Sequence, residues 1–261
     1  MLNGKVKFYL SLALVGLISA CGGGGGSGSP TTVAVPTTAE LCYNMTNGNA
    51  FRQKQTTSPI QATNLTSTIN YNQAVRDVTI QAATYNGVVG QSRVSTGTDT
   101  FTPTSLPTVS SKFEVFSNLI AANKYTRVAN RNTPVGGASS DTVFSNHMRS
   151  LNLAVGASEI YTFTFANAAT PTAILGTTTH TVKLLAIEDL VTPAGTFKNA
   201  CKFSLEVASA GAPPGTSTDI FWYAPGWGNV KEVVTQTFTD GRTPATMTNT
   251  TEASLILRGA L

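Results

Sequence analysis

Apolar and polar residues alternate with a period of two along most of the chain beyond Leu41, the pattern of half-buried strands. Val78, Ile80 and Ala82 alternate with Thr79 and Gln81, and Asn86-Gly87 then marks a two-residue hairpin turn. Phe113 and Val115 alternate with Lys112 and Glu114, and Tyr161, Phe163 and Phe165 with Thr162 and Thr164. Residues 180–190 and 196–208 form two strands joined by the turn at 191–195. In the second, Phe197, Cys201, Phe203, Leu205 and Val207 share one face, while Lys198, Lys202, Ser204 and Glu206 take the other. A strand over 218–223 meets Ala224-Pro225-Gly226, whose Pro-Gly pair suits a type II turn, since Pro presets φ and Gly supplies φ > 0. Strands over 228–239 and 252–258 complete an antiparallel meander. No amphipathic helix of about ten residues or more stands out; 112–125 comes nearest. No tandem repeat is present, so residues 41–261 read as one all-β domain.

The first twenty residues break this pattern. Lys5 and Lys7 precede an apolar run over 8–20 that ends in small side chains, the build of an export leader. The run falls short of the roughly 20 residues that a membrane-spanning helix needs. Ile18-Ser19-Ala20-Cys21 resembles the lipobox of bacterial lipoprotein precursors. The resemblance implies a covalent lipid on Cys21, which becomes the N-terminus after cleavage, and Gly22 behind it implies sorting to the outer membrane, facing periplasm or cell surface. Two or more acyl chains anchor stably where one does not. Residues 21–40, opening on five glycines after the cysteine, read as a flexible linker with a span on the order of 24 Å.

Composition narrows the partners. Loss of Lys5 and Lys7 with the leader lowers the formal charge from +4 to about +2, charged residues make up 11 %, and no basic run exists, so nucleic acid is not an expected partner. With Cys21 lipidated, Cys42 and Cys201 remain; in an oxidising compartment they pair as a disulfide, or else stay as two buried thiols.

The stretch from Val191 to Phe197 with Cys201 beyond it, followed by Trp222-Tyr223-Ala224-Pro225-Gly226-Trp227-Gly228-Asn229-Val230-Lys231-Glu232, resembles the C-terminal part of a family of uncharacterised Gram-negative lipoproteins. Trp227 and Asn229 depart from the aliphatic residues usual in that family. The resemblance implies a single curved antiparallel sheet or half-barrel like that of the lipoprotein carriers LolA and LolB, and it transfers fold alone.

Candidate chemistry is sparse. His147 and His180 lie far apart, the first in a polar loop and the second at a strand end, with no clustered ligands for a metal. No G-x-S-x-G elbow occurs, although a spatial triad using either histidine stays open. Glu188 and Asp189 point to opposite faces of a strand. The glycine run lacks the Lys-Ser/Thr of a phosphate loop. Aromatic residues remain: Tyr161, Phe163, Phe165, Phe203, Phe221, Trp222 and Tyr223 either line a concave apolar surface or form ordinary core, and Phe163, Phe165, Trp222 and Trp227 are the ligand-binding candidates, the two tryptophans as a partly exposed rim. The expectation is a non-catalytic, lipid-anchored protein without cofactor or metal, binding an apolar ligand or an envelope protein. The alternatives are a structural or adhesion-type protein with a filled core and, further off, a hydrolase. Cys21→Ala is expected to move the protein from the membrane fraction to the soluble one; a variant still extracted only by detergent would contradict lipidation.

Overall fold

The computed structural model describes residues 37–58, 71–101, 109–120, 123–209, 215–238 and 246–261. Cys21 and the leader lie outside the described residues, as does the linker up to residue 36. The fold takes in Thr37–Glu40, the end of the expected linker: Thr38 bridges to Ala154, and Ala39 N donates to Leu153 O at 3.0 Å.

A 3-10 turn over Ala39–Tyr43 precedes β1 (Ala50–Ser58), β2 (Tyr71–Tyr85), β3 (Val88–Phe101), β4 (Val109–Ile120) and β5 (Lys124–Pro134). Then come β6 (Ser140–Ser145), β7 (Met148–Ser150), β8 (Ser158–Asn167), β9 (Ile174–Thr192) and β10 (Gly195–Ser209). The chain ends with β11 (Gly215–Ala224), β12 (Gly228–Phe238) and β13 (Thr246–Arg258). Among the described residues the order is β4-β3-β2-β1-β13-β12-β11-β10-β9-β8-β6-β5, and β5 returns to β4, so twelve antiparallel strands close a barrel. The short β7 pairs with β5 inside this circuit.

The all-β class holds, but the expected open sheet or half-barrel does not. Two ladders overturn it: β1 with β13, from Ala50↔Arg258 to Ser58↔Thr248, and β4 with β5, from Ser111↔Pro134 to Ile120↔Lys124. A twisted sheet this wide removes its two unpaired edges by joining them. The segment over 112–125, nearest to a helix by sequence, is mostly strand β4 with the turn into β5.

Local signals act as read at the turns. Asn86 and Gly87 both take positive φ, 48° and 82°, giving the type I′ geometry that matches strand twist. Trp227 N donates to Ala224 O at 3.0 Å across Pro225-Gly226, and Gly226 has φ 81°. The expected single face of β10 is interrupted. Register jumps from Phe197↔Leu190 to Ala200↔Glu188, with Asn199 at φ 52° and its N–H on the Asp189 carboxylate. The extra residue reverses the parity. Phe197 therefore joins Phe51 and Trp227 in one buried cluster, whereas Cys201, Phe203 and Leu205 join another, and Val207 is exposed.

The 3-10 turn is inside the barrel. Tyr43 stacks on Tyr125 of β5 at 4.8 Å and meets Tyr223 of β11 at 5.4 Å, two strands from well-separated parts of the ring. The Cys42–Cys201 disulfide, with a Cα–Cα distance of 5.9 Å, fixes this turn to β10. Outward positions carry Arg52–Asp77 at 2.7 Å and Lys231–Glu252 at 3.0 Å in mid-strand, charges unlike the apolar band of a membrane-spanning barrel. Cross-linking residues 159 apart constrains the unfolded chain by up to about 5 kcal/mol in the loop-entropy account. Cys42→Ala is expected to lower the urea midpoint and to steepen the slope, because the uncrosslinked chain unfolds to a more exposed state. An unchanged midpoint would contradict a stabilising bridge.

Candidate functional site

The barrel holds a cavity of about 310 Å³ lined by Arg93 from β3, Ser117 from β4, Tyr125 and Arg127 from β5, Arg149 from β7, His180 from β9, Asp219, Phe221 and Tyr223 from β11, and Asn229 and Glu232 from β12. Strand parity places these groups. Tyr125 and Arg127 are two apart on β5, as are Asp219, Phe221 and Tyr223 on β11, so each set faces one way.

Arg149 is the central group. It is 8 % exposed, and its Nε donates to the Tyr161 hydroxyl at 3.1 Å. That hydroxyl lies 2.9 Å from His180 Nδ1, so the Tyr161 O–H donates a hydrogen bond to the imidazole while its oxygen accepts from the guanidinium. The Arg149 guanidinium also lies 5.2 Å above the Phe221 ring, and its second arm, NH1, is buried without a partner. Strand β7 is held for this task by the Ser150 N–H on the Glu159 carboxylate at 3.0 Å. Arg127 donates to Asn130 Oδ1 at 2.8 Å and lies 5.1 Å over Phe144. Arg93 donates to Gln53 Oε1 at 2.6 Å, while its Nε lacks a partner. None of the three guanidinium groups has a carboxylate at ion-pair distance among the described residues. Burial lowers the pKa of Arg93 and Arg127, and an arginine side chain stays charged even so.

One acidic pair faces them. Asp219 sits diagonally from Glu232 across the β11–β12 ladder, where Phe221 pairs with Glu232. Burial first, and the adjacent Glu232 carboxylate second, push Asp219 up to about 8, so Asp219 keeps its proton at neutral pH.

His147 lies in the loop between β6 and β7, as read, but is itself buried, and His180 lies within a strand and not at its end. His147 is 3 % exposed, its ring 4.4 Å from Phe163, and its Nδ1 is unpartnered. His180 lies within β9, which begins at Ile174, opposite Tyr161. Burial, and then the Arg149 charge, pull His147 down to about 3 and His180 to about 4. Among the described residues no group of three or more His, Cys, Asp or Glu could hold a metal.

Of the four aromatic candidates, Phe163 is buried against both histidines and Phe165 is half-buried with its ring over Gly176. Trp222 and Trp227 are buried, not a rim. Trp222 points away from Phe221 and Tyr223, under Lys202 and Lys231, with its N–H on Glu188 Oε1 at 2.9 Å. None of these four lines the cavity; their neighbours Phe221 and Tyr223 do. The arginines and the acid pair were missed. Their signal was a charge in step with buried aromatics, as in Asp219, Phe221, Tyr223.

No family profile matches the chain, and no curated protein matches it. Two solved structures resemble it in the course of the chain. One is a candidate exported protein with a YmcC-like fold from Bacteroides fragilis, 11 % identical over 83 % of this chain and 98 % of that one, TM-score 0.40. The other is a candidate lipoprotein from Parabacteroides distasonis, 11 % identical over 84 % and 99 %, TM-score 0.38.

The titrations oppose each other. Unfolded histidines take up protons below about pH 6.5, which the folded ones refuse, so stability rises as pH climbs from about 4 to 6.5. Asp219 has the other sign: it keeps a proton that the unfolded chain releases near pH 4, so its contribution falls as pH rises toward 8. Between pH 6.5 and 8 the urea unfolding free energy is expected to decline, and Asp219→Asn to flatten that decline. A flat wild-type profile would contradict a proton retained on Asp219.

Proposed function

We propose that the protein is a non-catalytic envelope lipoprotein, anchored through Cys21, whose barrel holds a small organic anion. The observation that carries this reading is Arg149: a buried guanidinium with one unpartnered arm at a cavity of about 310 Å³, flanked by Arg127 and Arg93 with no carboxylate paired to any of them. A buried charge without a counter-charge costs several kcal/mol, and an anion in the lumen removes that cost. Three guanidinium groups, facing an Asp219 that keeps its proton, leave the interior positive. For that reason an anionic ligand replaces the purely apolar one suggested by the aromatic content.

The envelope assignment rests on the export leader, the lipobox and the Cys42–Cys201 bridge, since such bridges belong to oxidising compartments. The non-catalytic reading draws support from the histidines. At about 3 and 4 they are weak bases at neutral pH, far from the value that suits proton transfer.

Titration calorimetry on the full chain carrying Cys21→Ala tests this with acetate, hexanoate and D-gluconate as probes. At least one carboxylate is expected to bind, and Arg149→Met to weaken it by about tenfold or more, the effect of removing one buried charge contact. Arg127→Met gives the same test should Arg149→Met unfold. Absence of binding by every probe, or binding indifferent to both variants, would overturn the reading.

A further inference from the structure

The cavity asks for more than an anion. On the β11–β12 wall two buried acceptors lack partners, Asp219 Oδ1 and Asn229 Oδ1. Buried polar atoms in native proteins are satisfied by protein, water or ligand, and an unmet one costs about 1–3 kcal/mol. A carboxylate brings only further acceptors, so it serves the guanidinium groups and leaves this wall unmet. Strands β11 and β12 stand five and six places from β5 around the ring, across the lumen from Arg127. Arg149 reaches between the two walls, its guanidinium over Phe221.

We infer that the lumen takes a small hydroxylated carboxylate: the carboxylate on Arg149 and Arg127, the hydroxyls donating to Asn229 Oδ1 and Asp219 Oδ1, the carbon body against Phe221 and Tyr223. This rests on the reading of the lumen as an anion site. Hydroxyl groups suit the far wall better than an ammonium would, because Arg93 also lines it and repels a second cation. A hydroxyl can donate to Asn229 while tolerating a guanidinium neighbour, since it carries an acceptor as well. The volume equals that of about ten waters at roughly 30 Å³ each, room for a six-carbon acid.

D-gluconate and hexanoate share chain length and charge and differ in hydroxyls, which makes them the probes. In calorimetry on the Cys21→Ala chain, gluconate is expected to bind about tenfold or more tightly than hexanoate. Asn229→Leu should weaken gluconate by about tenfold and so bring the two affinities together. Asp219→Leu provides a second variant if the first fails to fold, as judged by its urea midpoint. Equal wild-type affinities, a preference for hexanoate, or a gluconate preference that survives the substitution would overturn the inference while leaving the anion site standing. Binding of neither acid would overturn both.

Discussion

The pairing of β1 with β13 is the constraint on which the rest depends. It joins residues some two hundred positions apart, and together with the β4–β5 ladder it converts a sheet into a ring. Closure removes exposed edges, which in a chain rich in β-branched residues would otherwise invite pairing with other chains. It also creates an inside. Arg93, Arg127 and Arg149 would project into solvent from an open sheet; within a ring each has a neutral hydrogen-bond partner, Gln53, Asn130 or Tyr161, an aromatic face and whatever fills the space.

The interior answers that enclosure with graded partners. Ring faces take up part of each charge: Phe51 under Arg93, Phe144 under Arg127, Phe221 under Arg149. Contacts of this kind are worth more when desolvated, about 2 kcal/mol, than at a surface. The Tyr161 hydroxyl links Arg149 to His180 and lets the imidazole stay neutral beside a cation. On the opposite wall, Asp219 and Glu232 avoid placing two full negative charges side by side by retaining a proton. Fixed charge, neutral imidazole and protonated acid are thus one electrostatic arrangement, and shifting any member alters the others.

Local structure was legible from the residues, long-range closure was not. Asn86-Gly87 and Pro225-Gly226 announce their turns because few residues tolerate the required φ, and Tyr161, Phe163 and Phe165 announce a strand by alternation. The Cys42–Cys201 pairing followed from counting thiols. Closure depends on which strands meet, and period-two alternation is the same in a sheet and in a barrel. The site stayed hidden for a related reason. Along β11 the residues Ile220, Phe221, Trp222 and Tyr223 are apolar on both faces, so alternation does not say which face Asp219 shares with the lumen. One extra residue at Asn199 likewise reversed the face assigned to Phe197.

The Cys42–Cys201 bond also determines how the domain would bear a load. A pull on the chain before Ala39 would leave the backbone at Cys42 and enter β10 through sulfur, at a residue paired to β11 on one side and to β9 on the other. Pulling there loads the ladders to β9 and β11 at once. Without the crosslink the same tension would draw out Ala39–Tyr43 first and then peel β1 from its neighbours one pair at a time. The bridge makes the point of attachment the middle of the wall and not the loose end of the chain.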